Sequence, residues 1–512
     1  MTYTIEKVTT LIGARRYGDR DGNVGFILTD SRSLCFPEET LFFALKSERN
    51  DGHNYIPELY RRGVRNFVVS QVPKGYASDY PEANFLKVVN TLEALQRLAE
   101  RHRDEFNIPI VGITGSNGKT MVKEWLHQLL SPSMFVTRSP RSYNSQIGVP
   151  LSVWLLNEQT QVGVFEAGIS QPGEMLALRD IIQPTIAVLT YLGAAHQENF
   201  ESLEAKCREK IILFHDADTI VYNGDDKTVS GVVNEYKDYK GEKLFWSFRD
   251  TKAPFFVKNV EKKGNLSIIT YIYKGEEDSY SLPFIDEASV TNSIIAAVVS
   301  RRLGLSAEEL DKRMALLEPV AMRLEVKEGQ HGCTLINDSY NSDINSLDIA
   351  LDFMSRRPDH KGRRHTLILS DIFQSGESAK DLYHEVSDLC RKRGVVKFIG
   401  IGPQLCSQSD EIQISEKFFF SNVDEFIDSE VFKSLRDEVI LLKGARQFGF
   451  DQLTELLVRK VHETTLEVNL NAVVANLNYY RSFMKPETKL VCMIKADGYG
   501  AGAVEIAKTL QD

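Results

Sequence analysis

The sequence predicts a multidomain α/β protein whose central domain contains a parallel sheet, and two observations lead to this fold class. The chain has 512 residues, of which 42% are hydrophobic, and this length exceeds what a single hydrophobic core organises. Short apolar segments alternate with amphipathic segments along most of the chain, as strands and helices do in α/β folds. We therefore expect four segments, namely 1–106, 107–318, 319–462 and 463–512.

Each segment shows this alternation in its own way. In the first, FFAL, NFVVS and FLKVV predict strands, while IPELYRRG and LEALQRLAERH predict helices. In the second, the near-continuous apolar runs IPIVGITG, VGVFEAG and TIAVLTYLG are typical of strands covered on both faces of a parallel sheet. In the third, CTLINDSYN, HTLILSD, VVKFIGIG and VILLKGAR predict strands between helices. In the last, LEVNL and KLVCMI predict two strands around the helix AVVANLNYYRSF.

Composition excludes several classes of protein. The six cysteines are scattered without a C-x-x-C pair, so they predict neither a disulfide framework nor a zinc site. The net charge of −10 argues against a nucleic-acid-binding surface. The N-terminus MTYTIEKVTT lacks the apolar region of a signal peptide, and no stretch approaches the roughly 18 apolar residues of a membrane span. We expect a cytoplasmic protein that acts on small molecules.

The stretch GITGSNGKT (112–120) carries the strongest chemical signal. A glycine turn between a strand and a helix presents backbone N–H groups to an anion, a lysine reaches the β- and γ-phosphates, and a hydroxyl ligates Mg²⁺. The usual phosphate loop has glycine where this chain has Ile113, so the loop is a variant. The predicted ATP-binding residues are Gly115, Ser116, Asn117, Gly118, Lys119 and Thr120.

Polar residues follow the next two predicted strands. Glu166 follows one apolar run, and His196 comes shortly after the other. Taken singly, each is more simply explained as an exposed carboxylate or a helix cap. Because ligands bind at the carboxyl ends of parallel strands, their occurrence together beside a phosphate loop favours a Mg²⁺ site formed by Thr120, Glu166 and His196.

The form of these motifs resembles the Mur ligases, ATP-dependent enzymes that add amino acids or a dipeptide to the cell-wall precursor UDP-MurNAc. The matching segments are GITGSNGKT, SYNSQIGVPL (142–151), EAGIS (166–170) and AHQENFESLEAKCREK (195–210). The resemblance implies that Asn144 lies near the phosphates or the metal and that Lys119, Glu166 and His196 are catalytic. It also implies a catalytic, carbamylated lysine at Lys210, with Lys206 as the alternative.

The N-terminal segment TDSRSLCFPEETLFFALKSERNDGHNYI (29–56) resembles the family's UDP-sugar-binding domain. The resemblance implies that Ser31 and Arg32 contact the UDP substrate. It also implies three domains, which are an N-terminal UDP-binding α/β domain, a central P-loop ATPase domain and a C-terminal Rossmann-like α/β domain. Because a domain precedes the phosphate loop, folylpolyglutamate synthase, a relative whose loop lies near its N-terminus, is disfavoured.

The third segment indicates which Mur ligases are most similar. INDSYNSDINSLDIAL (336–351) resembles the members that join D-Ala-D-Ala to UDP-MurNAc-tripeptide, and a D-N-P-R motif, typical of the tripeptide-forming members, is absent from the sequence. The family's H-N-x-x-N nucleotide motif is reduced to ASVTN (288–292). The resemblance implies nucleotide contacts from Asn292, Arg323 and Asp338, and a substrate contact from Asn341. A different Mur-type amino-acid ligase remains an alternative.

The C-terminal segment MIKADGYGAG resembles alanine racemases. That resemblance implies a Schiff base between Lys495 and pyridoxal phosphate (PLP), with Tyr499 on the PLP phosphate. We expect the segment to be the incomplete start of a (β/α)₈ barrel, so that PLP and racemase activity require a full-length domain. The ligase is expected to be monomeric, and dimeric only through a complete racemase domain. A nucleotide-binding scaffold without ligase chemistry is the remaining alternative, and it would lack Glu166 and His196.

Overall fold

The computed structural model divides the chain into two units, 1–101 with 461–512 and 102–460. It describes residues 2–47, 50–193, 199–237, 239–320, 324–339, 342–356, 362–372, 378–459, 468–481, 483–485, 488–495, 498 and 502–511. Among the described helices, none combines the length and the apolar character that a membrane span needs. The cytoplasmic location stays a prediction.

The N-terminal part of the first unit is an α/β domain. Its strands are β1 (Tyr3–Thr4), β2 (Arg15–Tyr17), β3 (Asn23–Val24), β4 (Phe26–Leu28), β5 (Thr40–Phe43), β6 (Asn66–Val69) and β7 (Asn84–Lys87). Strands β4 to β7 are parallel in the order β7-β6-β5-β4, and β2 pairs antiparallel with β7. The helices are α1 (Ile5–Leu11), α2 (Ile56–Arg61), α3 (Tyr76–Asp79) and α4 (Thr91–Arg103). The α/β prediction for this segment is confirmed.

The second unit begins with the predicted parallel sheet. Its strands are β8 (Ile110–Thr114), β9 (Val136–Arg138), β10 (Val162–Glu166), β11 (Ile186–Leu189), β12 (Thr219–Val221) and β13 (Glu242–Lys243), in the order β13-β12-β11-β8-β10-β9. Every pairing in this sheet is parallel. The helices are α5 (Lys119–Leu130), α6 (Gly148–Val153), α7 (Glu174–Ile182), α8 (Leu203–Lys210) and α9 (Lys227–Glu235). Since β8 lies in the middle, the loop that follows it opens at the centre of the sheet's carboxyl edge.

A smaller, mostly antiparallel sheet completes the central domain. It contains β14 (Trp246–Ser247), β15 (Phe255–Lys263), β16 (Leu266–Tyr273) and β17 (Glu276–Leu282), and it is followed by α10 (Glu287–Arg302) and α11 (Ala307–Met314). One hydrophobic core joins this sheet to α10 and to the apolar face of α5, where Trp125 and Leu126 are buried. This shared core fixes α5, which carries Lys119 and Thr120 at its start.

The C-terminal part of the second unit has its own sheet. Its strands are β18 (Glu325–Glu328), β19 (Thr334–Asn337), β20 (Arg364–Ser370), β21 (Lys397–Ile401), β22 (Glu416–Phe420) and β23 (Glu438–Lys443), in the order β18-β19-β23-β20-β21-β22. All pairings are parallel except that of β18 with β19. The helices are α12 (Ile344–Arg356), α13 (Ala379–Lys392), α14 (Pro403–Ser407), α15 (Val423–Asp428), α16 (Glu430–Lys433) and α17 (Phe450–Leu457).

The C-terminal segment contains helices α18 (Leu470–Arg481) and α19 (Ala503–Gln511). The prediction of strands at LEVNL and KLVCMI is wrong for the described residues 468–470 and 488–494, none of which is in a strand. A strand forms only where its N–H and C=O groups bond to a neighbour, and no strand pairing of the described chain involves this segment. The helix between the two segments is confirmed.

Candidate functional site

A cavity of about 580 Å³ opens at the carboxyl edge of the central sheet. Its wall combines the loop after β8, the residues that follow β10 and β11, the first turns of α10, and Asp338 and Asp348 of the C-terminal sheet domain. The volume is in the range of small-molecule and cofactor sites. The predicted phosphate loop, Asn144, Lys210, Asn292 and Asp338 all line it.

Two glycines give the phosphate loop its shape. Gly115 has a φ of 144°, and a Cβ at this position would lie 2.1 Å from Thr190 Oγ1. Gly118, at the N-cap of α5, has a φ of 86°, and its Cβ would lie 2.5 Å from Asn292 Oδ1. Both positions therefore require glycine, for conformation and for space.

The side chains of the loop also bind its framework. Ser116 Oγ donates to the carbonyl oxygen of Gly193 (3.1 Å) and accepts from the Gly193 N–H (3.0 Å). Thr190 Oγ1 donates to the carbonyl oxygen of Asn117. Lys119 Nζ donates to the carbonyl oxygens of Gly115 (2.7 Å) and Ser116 (3.2 Å). The lysine is therefore folded back over the turn that precedes α5.

Thr120, Asn144 and Glu166 converge at the start of α5. Glu166 is fully buried at the end of β10, and its Oε2 accepts from Thr120 Oγ1 (3.2 Å) and Asn144 Nδ2 (3.4 Å). Two predicted residues from distant parts of the sequence thus contact one carboxylate oxygen of a third. The interpretation of Glu166 as an exposed carboxylate is wrong, because β10 ends inside the domain.

Sequence reasoning missed Lys123. Its ammonium is fully buried, 3.0 Å from Glu166 Oε1 and 3.0 Å from Glu124 Oε1. Its Nζ also donates to the carbonyl oxygens of Ser139 (2.9 Å) and Arg141. A signal was present in the sequence, since Lys123 lies one helical turn after Lys119 and next to the apolar positions of α5.

Two lysines of α8 lie on the other side of the loop. Lys210 is buried, and its Nζ donates to the carbonyl oxygen of Gly115 (3.3 Å). Burial, followed by the charges of Lys119 and Lys206, lowers the pKa of Lys210 well below its ordinary value. Lys206 Nζ donates to the carbonyl oxygen of Gly193 (2.5 Å), and burial lowers its pKa to about 8. Lys210 is therefore not a solvated helix lysine.

Two of the predicted nucleotide contacts, Asn292 and Asp338, line the cavity from different elements. Asn292 is on α10 against the phosphate loop at Gly118. Asp338, just after β19, forms a buried ion pair of 2.6 Å with Lys443 at the end of β23. Lys443 was not predicted as a functional residue, although it lies in the predicted strand VILLKGAR.

Several predicted residues lie outside the described residues, namely His196, Arg323, Asn341 and Tyr499. Their roles stay predictions. Ser31 and Arg32 belong to the first unit, in the short 3₁₀ turn Ser31–Ser33. Arg32 is exposed and pairs with Asp30 (2.6 Å), and this guanidinium lowers the pKa of the Asp30 carboxyl. The contacts of Ser31 and Arg32 with the UDP substrate also stay predictions.

The donor set of the cavity suits Mg²⁺. Among the described residues, no three His, Cys, Asp or Glu side chains converge to hold a metal ion by themselves. Mg²⁺ instead needs only one or two carboxylates, because it keeps several waters and binds the phosphates of its nucleotide. Thr120 lines the cavity, and Glu166 Oε2 lies directly behind its hydroxyl, so this pair fits that mode of binding.

The predicted PLP site does not fit the described residues. Lys495 is exposed, and the strand predicted to end before it is not formed. A Schiff-base lysine needs a site that holds the cofactor's ring and phosphate, and in the part of the chain that the structure describes Lys495 lines none of the main cavities.

Comparison with known proteins supports the interpretation of the cavity. A family model described as Mur ligase middle domain matches residues 113–300, and one described as alanine racemase, N-terminal domain, matches residues 468–512. The UDP-N-acetylmuramoyl-tripeptide–D-alanyl-D-alanine ligase of Bacillus subtilis (strain 168) is 28% identical over 368 residues, covering 70% of this chain and 76% of the relative.

Solved structures show the same fold. MurF from Acinetobacter baumannii superimposes with a TM-score of 0.77 at 21% identity, covering 89% of this chain and 99% of that chain. MurF ligase from Thermotoga maritima in complex with ADP gives a TM-score of 0.70 at 22% identity, covering 84% and 96%. The three-domain α/β architecture expected from the resemblance is therefore confirmed.

Proposed function

We propose that the chain is a Mur ligase that joins D-Ala-D-Ala to UDP-MurNAc-tripeptide at the expense of ATP, in peptidoglycan precursor synthesis. The observation that carries the proposal is a cavity lined by a phosphate loop and by the buried Asp338, with the buried Glu166 bonded to two of the lining residues, Thr120 and Asn144. Named relatives with this activity match most of the chain, which supports the choice of the dipeptide.

The chemistry explains why ATP is needed. A carboxylate does not react with an amine at neutral pH, so a better leaving group must first be formed. The terminal carboxylate oxygen of the tripeptide attacks the γ-phosphorus, the bond to the β,γ-bridging oxygen breaks, and ADP leaves. The amine of D-Ala-D-Ala then attacks the acyl phosphate carbon, inorganic phosphate leaves, and the amine loses a proton as the amide forms. No redox partner is required.

The protein supplies charge neutralisation and positioning. The N–H groups of the phosphate loop, the start of α5 and Lys119 stabilise negative charge that develops on the phosphates during transfer. Lys119 must leave the carbonyl oxygens of Gly115 and Ser116, which it contacts here, to reach a γ-phosphate. Asp338, held by Lys443, would accept hydrogen bonds from the ribose.

Mg²⁺ would be held by Glu166 and Thr120, with His196 as the further predicted ligand. When bound, it would neutralise charge on the β- and γ-phosphates. We further propose that Lys210 is carbamylated. Its buried amine is held near the loop, and its lowered pKa favours the neutral form that reacts with CO₂. Lys206, with a pKa of about 8, is the weaker candidate.

The decisive experiment measures phosphate release from ATP with all combinations of the two acceptor substrates. We expect release only when UDP-MurNAc-tripeptide and D-Ala-D-Ala are both present, and mass spectrometry should identify the pentapeptide product. Release with neither substrate, or only with an L-amino acid in place of the dipeptide, would refute the proposal. Lys119→Ala should abolish the release, because it removes the cation that reaches the γ-phosphate.

A further inference from the structure

Lys123 is a buried charge that the proposed chemistry does not use. Its side chain has no exposed surface, and transferring an ammonium group from water into a protein interior is strongly unfavourable unless partners compensate it. Two main-chain carbonyl oxygens do so by accepting hydrogen bonds, and two carboxylates do so by forming ion pairs. A lysine kept in such a place must contribute through the groups that it holds.

These groups belong to separate elements at the edge of the cavity. Ser139 and Arg141 directly follow β9 and lead into the segment that carries Ser142 and Asn144. Glu166 ends β10, and Lys123 itself lies on α5 one turn after Lys119. The ammonium group therefore joins α5, the segment after β9 and the end of β10.

The two oxygens of Glu166 have different surroundings. Oε1 lies 3.0 Å from Lys123 Nζ, whereas Oε2 accepts from Thr120 Oγ1 and Asn144 Nδ2, both of which line the cavity. Since the carboxylate is fully buried, its rotation is limited by these partners. The ion pair on Oε1 thus turns Oε2 toward the phosphate loop.

We infer that Lys123 is a positioning residue that fixes Glu166 with its Oε2 directed at the nucleotide's metal ion. The inference rests on the proposed function, in which Glu166 is a metal ligand. Lys123 itself touches neither the nucleotide nor the metal ion and acts through Glu166. Removing it leaves a buried carboxylate without its cation, which then turns toward other donors or takes up a proton.

The test measures ADP affinity in EDTA and in saturating MgCl₂, and the ratio of the two gives the Mg²⁺-dependent gain. Lys123→Met should lower this gain about tenfold or more and leave the ADP affinity in EDTA unchanged. A tenfold loss is the usual cost of removing a group that orients a metal ligand. Equal losses with and without Mg²⁺, or an undiminished gain, would overturn the inference. A wild-type protein without any gain would instead contradict the metal site of the proposed function.

Glu124→Gln is the matched control. Glu124 contacts the same ammonium at 3.0 Å, but its other oxygen pairs with Arg138 (2.9 Å), away from Glu166. We expect Glu124→Gln to retain the Mg²⁺-dependent gain. A loss equal to that of Lys123→Met would overturn the inference, because the effect would then not depend on the contact with Glu166.

A double-mutant cycle separates positioning from general stability. Glu166→Gln should lose the gain, and Lys123→Met in that background should lower it no further, because the lysine acts through the carboxylate. The double variant removes both buried charges and should fold even where Lys123→Met alone does not. If the double variant and Glu166→Gln differ in their gain, Lys123 acts by another route and the inference fails.

Discussion

Replacement of Lys443 by methionine tests whether the C-terminal sheet domain contributes to nucleotide binding through a buried ion pair. Lys443 Nζ lies 2.6 Å from Asp338 Oδ2, and the two side chains are 1% and 8% exposed. Methionine keeps most of the volume of the side chain and removes its charge. Asp338 is then left buried, at the wall of the cavity, without a counter-ion.

The expected magnitude follows from this burial. Removing one partner of a buried ion pair costs about 3–5 kcal/mol, because the other charge stays desolvated. Hydrogen exchange by mass spectrometry reports this cost locally, and 3 kcal/mol corresponds to roughly hundredfold faster exchange of the most protected amides. If Asp338 also loses its hydrogen bond to ribose, ADP affinity should fall by about ten- to a hundredfold, the value of a charged hydrogen bond.

A matched control exists in the same sheet. Lys397 Nζ lies 2.8 Å from Glu438 Oε1, and both side chains are 3% exposed. Glu438 begins β23 and Lys443 ends it, so the two pairs are about 16 Å apart along the strand. Lys397→Met should accelerate exchange similarly and leave ADP affinity unchanged, because this pair lies at the sheet edge opposite to the cavity.

The outcomes are distinct. Equal ADP affinity in the two variants would refute the role of Asp338 in nucleotide binding. Unchanged exchange rates in both variants would refute the argument from burial.

Three further predictions concern the loop, the carbamate and the C-terminal segment. Gly118→Ala should weaken ADP binding about tenfold or more, because the added Cβ meets Asn292 Oδ1 at 2.5 Å. Gly173→Ala is the control, because Gly173 has a similar φ of 85° but nothing lies within 4 Å of the added Cβ. This variant tests the backbone strain alone and should bind ADP normally. With ¹³C-bicarbonate, the wild type should show a carbamate NMR signal that Lys210→Ala loses and Lys206→Ala keeps. Because only the neutral amine reacts, the signal should vanish as pH falls through the lowered pKa of Lys210. Loss of the signal in Lys206→Ala alone would show that Lys206 is the carbamylated residue. PLP added to this chain should give neither a Schiff-base absorbance nor alanine racemisation, because Lys495 is exposed; stoichiometric binding that Lys495→Ala abolishes would contradict this.

The sequence was informative wherever a strand had a strong periodic pattern and a neighbour. The runs before Gly115, Glu166 and Thr190 were predicted as parallel strands and form β8, β10 and β11. Their order in the sheet could not be predicted, because periodicity gives the burial of a strand and not its partner. The run KLVCMI has an equally strong pattern but no strand in the described residues pairs with it, so apolar periodicity alone did not specify a strand there.

The candidate site was predicted only for residues that belong to contiguous motifs. Glu166 and Asn144 were found because each lies in a recognisable segment. Lys123 and Lys443 were missed because their importance arises from burial and from contacts with Glu166 and Asp338, which are 43 and 105 residues away in the sequence. A lysine in a helix is usually exposed, and its partner is visible only after folding.

The variant phosphate loop has a structural explanation that also limits how it can change. Ile113 lies inside β8 and is fully buried in the core shared with α5, so it belongs to the strand and not to the loop. Only residues 115–118 connect the strand to the helix, and both ends of this short turn have positive φ. A glycine at 113 would therefore remove core packing without adding freedom to the turn, whereas side chains at 115 or 118 would meet Thr190 or Asn292. The position of glycine in this loop is thus set by where β8 ends.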